Sequence, residues 1–193
     1  MGSNSTSYNP IRFSGVIGTL MLLAFLAYGM GRQFFDSEQV LIKSSGALLI
    51  LTNSAIVIAI GILFRKTLLA FAPFVANLYL STRVFEGIAL GSIVFTSALG
   101  VLSLDVGYFI GMIVLGLGSI PMCITLIKFR LSPSWLAIWG IGGYAVFTIA
   151  FILQWVGMDW GIYLIIPAGL WEVVFATWLI RTRNQIGLTK YLA

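Results

Sequence analysis

Six stretches of the chain are each apolar for about twenty residues, the length that crosses the roughly 30 Å hydrocarbon layer of a bilayer as one helix. They run 13–31, 45–64, 74–100, 106–127, 135–156 and 160–180. In lipid every backbone N–H and C=O needs a partner within the protein, and a continuous apolar run meets that need as a helix. The predicted fold class is therefore all-α: a polytopic integral membrane protein with a six-transmembrane-helix bundle over residues 13–181. A polar tail (1–12) and a short basic tail (182–193) flank it. Only 9% of the 193 residues are charged, against roughly a quarter in a soluble domain. The connecting segments are too short for a second domain.

The net charge is +5, yet the basic residues form no stripe or run. They stand singly or in pairs at the ends of the apolar segments, where they meet lipid headgroups. This placement predicts the lipid bilayer as partner and no nucleic acid. Arg12, Arg65, Lys66, Lys128, Arg130, Arg181, Arg183 and Lys190 fall on one side, and Arg32 and Lys43 on the other. Asp36, Glu38, Asp105 and Asp159 share the second side. Basic residues favour the cytoplasmic face, so both termini are expected there, which requires an even number of spans. The first ten residues lack a charged leader and no small-residue cleavage site follows Met30, so the first segment is read as a retained helix.

Proline and glycine punctuate the spans. Pro73 suits the first turn of the third helix, which leaves 67–72 as an interfacial linker. Pro121 and Pro167 are expected to kink the fourth and sixth helices. Gly87 with Gly91, Gly107 with Gly111, and Gly140, Gly142 and Gly143 predict close helix packing. Trp135, Trp139, Trp155, Trp160 and Trp178 lie near span ends, as interfacial anchors do.

The chain has no histidine and one cysteine, Cys123. HExxH zinc sites, Ser-His-Asp triads, histidine-box di-iron centres and His-ligated haem are thereby excluded. Lys43, Lys66, Lys128 and Lys190 sit at segment ends, not mid-span as a retinal Schiff base would need. No cofactor and no metal site is expected.

The chemistry concentrates at mid-depth. The stretch STRVFEGIAL (81–90) places Arg83 and Glu86 one helical turn apart near the centre of the third segment. Glu172 and Asn53 lie close to the middle of the sixth and second segments. At 100° per residue, Ala76, Tyr79, Arg83, Glu86, Gly87 and Leu90 share one stripe, and Ala168, Gly169, Glu172 and Ala176 share another. Small residues mark protein-facing surfaces, so the charges are expected to look inward.

A charge at mid-bilayer costs at least about 2.5–3.5 kcal/mol, so such groups persist when paired or wetted. Arg83 can pair with Glu86 on its own helix, and its fork of donors suits Glu172 as a second acceptor. One arginine and two glutamates leave a surplus negative charge. Either a carboxylate keeps its proton, or a cation or ligand compensates. Asn77, Gln154 and Tyr144 are read as packing or interfacial residues.

Two C-terminal stretches carry a resemblance. LIKFRLSPSWLAIWGIGGYAV (126–146) has a basic hinge, a proline and Trp-Leu before a glycine-rich helix. IPAGLWEVVFATWLIRTR (166–183) has Pro167, Glu172 and a closing Trp-Leu ahead of basic residues. Both resemble the bacterial domain-of-unknown-function 4386 family, and STRVFEG resembles its third-helix Arg-x-x-Glu region. The resemblance implies a small six-helix protein of the bacterial inner membrane and transfers no activity.

Two functional expectations follow. In the first, Arg83, Glu86, Glu172 and Asn53 bind a proton, cation or small polar solute, for transport or sensing. In the second, the charges only clamp helices three and six of a structural or accessory subunit, working as a homo-oligomer or with a membrane-complex partner. An intramembrane enzyme is disfavoured, because no nucleophile–base pair or metal set accompanies the acids.

Overall fold

The computed structural model describes residues 11, 13–98 and 104–189. The first ten residues, Arg12 and Lys190 therefore lie outside the described residues. Six α-helices follow one another: α1 (Ser14–Phe35), α2 (Val40–Leu68), α3 (Pro73–Ala98), α4 (Leu104–Lys128), α5 (Ser134–Trp155) and α6 (Ile166–Thr189). A 3₁₀ segment, Asp159–Ile165, leads into α6. Among the described residues there is no strand. All six helices are long and apolar enough to cross a membrane, which makes this a multi-pass membrane protein.

The ends of the helices follow local chemistry. Pro73 opens α3, where its missing N–H leaves no hydrogen bond unmade. After α4, Arg130 takes a left-handed conformation (φ 51°) and the Leu131 N–H reaches back to the Leu126 carbonyl at 2.9 Å. After α5, Gly157 (φ 84°) turns the chain the same way, and the Met158 N–H bonds to the Leu153 carbonyl at 3.0 Å. Both close orphan carbonyls of the last turn in the Schellman manner.

Three expectations change. Residues 67–72 do not run along the interface: Thr67 and Leu68 complete α2 as buried residues, and a turn of four residues reaches Pro73. The α2 helix begins at Val40, ahead of the apolar run, and its 29 residues reach about 43 Å at 1.5 Å each. Pro167 does not kink a sixth helix mid-span, because the seven residues before α6 form the 3₁₀ segment and Pro167 falls in the first turn of α6. There its lost N–H is harmless. Pro121 does lie inside α4, which continues through it.

Each helix packs on its neighbours in chain order, and α1 closes on α6, so the bundle is a ring. Among the described residues, no Cα pair from helices across the ring comes within 8 Å. Small residues set the close neighbour contacts. A Cβ on Gly111 would lie 2.6 Å from that of Ala89, and one on Gly140 would lie 2.7 Å from the Cys123 sulfur. Without a hydrophobic force between helices in lipid, such approach gains dispersion contacts.

The inside of the ring is filled unequally. On the side of the two chain ends, Phe64, Tyr79, Trp171 and Phe175 meet across the middle. Trp171 stacks on Phe175 at 4.7 Å, and its indole N–H donates to the Leu136 carbonyl at 2.6 Å. Leu68, Leu126, Leu136 and Leu179 pack around them without exposure. The opposite half encloses a cavity of about 340 Å³.

Candidate functional site

The stripe on α3 faces inward: Ala76, Tyr79, Arg83, Glu86, Gly87 and Leu90 are all buried. Arg83 leaves α3 beside Gly61 of α2, where a Cβ would come 2.7 Å from the Arg83 Cβ. A side chain at Gly61 would force the root of Arg83 aside.

Arg83 then divides its donors among three partners. Its Nε donates to the Tyr79 hydroxyl at 2.8 Å, and Nη1 donates to Glu86 Oε2 at 2.8 Å. Its Nη2 lies 3.7 Å from Glu172 Oε1. The same Glu172 oxygen accepts a hydrogen bond from the Tyr144 hydroxyl of α5 at 2.9 Å. The two ion pairs are unlike. Glu86 is buried with Arg83 at hydrogen-bond distance, while the Glu172 side chain is 30% exposed and beyond that distance.

The expectation that helices three and six lie against each other is corrected here. They stand on opposite sides of the ring with no Cα pair within 8 Å, and the Arg83 side chain spans the gap. Facing reads out a direction, whereas the separation depends on how many helices surround the centre.

All four sequence-predicted residues line the cavity: Asn53, Arg83, Glu86 and Glu172. Asn53 is 3% exposed and makes no hydrogen bond among the described residues. Glu86 Oε1 and Glu172 Oε2 likewise accept none from them. The charged groups form one end of the cavity. Away from them the walls are mainly apolar, with Leu90, Met112, Phe147 and Phe151, besides Tyr28 and Tyr108. Among the described residues, no three His, Cys, Asp or Glu side chains gather into a group that could hold a metal ion.

Sequence reasoning missed three tyrosines of this cavity. Tyr144, read as packing, holds Glu172 in place. Tyr28 of α1 and Tyr108 of α4 also line it. Phenols sit equally well at interfaces and in cores, so spacing alone gave no signal for them. Asn77 and Gln154 do not line the cavity: Asn77 accepts from Arg65 Nε at 2.7 Å, and Gln154 donates to the Ala150 carbonyl at 3.4 Å.

Residues 95–182 match the family model described as Domain of unknown function (DUF4386). The match takes in α4, α5 and the C-terminal stretch with Glu172, but not the STRVFEG segment of α3. It covers somewhat under half of the chain, less than the resemblance read from the sequence. Comparison with the curated proteins and with the solved structures returns no match.

Proposed function

We propose that the protein is a membrane-embedded binding protein, acting in transport or sensing, that holds a proton or a small positively charged solute in the ring cavity. The observation that carries this reading is the surplus carboxylate at the cavity end: one guanidinium faces two glutamates, and an oxygen of each remains free. A buried excess of negative charge is costly unless a positive partner or a proton compensates it. The cavity gives that partner space. An excess of basic residues beside the chain ends supports cytoplasmic termini, and the hollow half then faces outward. A site open on one half and packed shut on the other suits a receptor or one state of a carrier.

The test uses nanodisc-embedded protein and a panel of cations that includes sodium, guanidinium and tetramethylammonium, at several pH values. A bound cation or proton raises the melting temperature by mass action. The shift is expected in the wild type and lost in Glu172→Gln. If no member of the panel, and no pH change, separates the two proteins, the reading fails.

A structural reading has its own support, since Tyr79, Arg83 and Glu86 are buried and bonded to each other without any ligand. It predicts that the chain co-purifies with a larger membrane partner, and that Glu172→Gln changes stability but no binding.

A further inference from the structure

The cavity has a way in at an unusual place. Its lining residues on α2, α3 and α5 are all buried. At mid-depth, exposure falls on α1 and α6: Phe25 is 53% exposed, Gly169 is half-buried, and the Glu172 side chain retains 30%; beyond them Gly29 is exposed and Tyr28, Tyr108 and Ile165 are half-buried. Phe25 and Glu172 both sit at the middle of their spans. An opening at that height faces lipid hydrocarbon, not water. Phe25 reaches across it, since a Cβ on Gly169 would rest 3.7 Å from Phe25 Cε2.

We propose that the cavity takes a lipophilic amine or cation, an apolar body carrying one positive nitrogen, directly from the bilayer through the gap between α1 and α6. The proposal rests on the reading of the cavity as a site for positive charge and names the class of ligand. Four observations converge on it. Apart from the Tyr28 and Tyr108 side chains, the walls away from the charged end are apolar, which suits an apolar body better than a hydrated ion. At the polar end Glu172 is the looser of the two carboxylates, with Oε2 open. Asn53, 3% exposed and without a hydrogen-bond partner among the described residues, supplies an amide oxygen to the same space. The volume of about 340 Å³ falls at the small end of the roughly 300–1,000 Å³ typical of small-molecule sites.

The experiment compares phenylbutylamine, its uncharged counterpart phenylbutanol, and tetramethylammonium on nanodisc-embedded protein, by calorimetry for affinity and stopped-flow tryptophan fluorescence for rate. Phenylbutylamine is expected to bind tightest. Glu172→Gln is expected to weaken it by about thirtyfold or more, the size of a lost buried charge partner, and to leave phenylbutanol unchanged. Gly169→Trp, which fills the gap, is expected to slow association, and Phe25→Ala, which clears it, to speed it. Gly169→Ala, whose added carbon meets ordinary contact distance, should behave as the parent.

Tetramethylammonium binding in a Glu172-dependent way while phenylbutylamine does not would overturn the proposal and leave the cation site standing. Phenylbutanol binding as tightly as the amine would overturn it too. No Glu172-dependent binding by any cation would remove both readings. Association rates untouched by either Phe25→Ala or a folded Gly169→Trp would refute the lateral route.

Discussion

The two halves of the bundle use the same six helices and differ in what α1 and α6 send into the ring. Toward the chain ends, α2, α3 and α6 contribute Phe64, Tyr79, Trp171 and Phe175, and the centre closes. In the other half, α1 and α6 contribute Ala24, Gly29, Ala168 and Gly169, and the centre stays open. On α6 the change happens within one helical turn, from Gly169 to Trp171. Six helices in a ring leave a central gap whatever their sequence. Whether it becomes a core or a cavity is decided by side-chain volume at a few inward positions, and the charged groups sit where the two regimes meet.

Several measurements would break or sharpen this contrast. The largest effect is expected at the boundary. Arg83→Ala leaves two carboxylates and the Tyr79 hydroxyl without their shared donor, and breaking such a buried set costs about 3–5 kcal/mol. Denaturation in detergent should show a loss of that size, and a variant as stable as its parent would mean the cluster does not hold the ring. Next come paired leucine truncations. Leu179 is unexposed in the packed half, while Leu115 borders the cavity. The cost of leucine to alanine follows the new void it leaves, so Leu179→Ala should lose about 1–2 kcal/mol more than Leu115→Ala. Equal losses would show that the hollow half is packed like the other.

Gly61→Ala places a carbon 2.7 Å from the Arg83 Cβ, and forcing that neighbour aside should cost about 1–3 kcal/mol. It should also weaken cation binding, since the guanidinium moves relative to Glu172. The smallest effect is expected for Tyr144→Phe, which removes a single hydrogen bond to Glu172 worth about 1 kcal/mol. Its stability should change little, while calorimetry should detect altered cation affinity.

Much of this architecture was legible in the chain because lipid leaves few options. Span number came from apolar length, and the inward stripe of α3 came from the 100° periodicity that put Tyr79, Arg83 and Glu86 together. Local turn chemistry was harder to read. The 3₁₀ segment before α6 hides in residues as apolar as the helix they precede, so Pro167 passed for a mid-helix proline. The cavity was not legible at all. Charges and their direction can be read from one helix, but the distance from Arg83 to Glu172 is a property of the whole ring. Tyr144 shows the same limit: its role depends on a carboxylate 28 residues away.

A ring made from one chain always has one junction that no loop crosses. Here that junction is α1 against α6, the helices nearest the two chain ends. Five neighbours are held by short connections as well as by packing, and the sixth pair by packing alone. Its firm part lies low, where Gly18 admits the Ala176 backbone; the upper part is bridged by the Phe25 ring. On the lateral route proposed above, a ligand would enter at the one junction that covalent topology leaves to packing alone, beyond the close contact of Gly18 with Ala176.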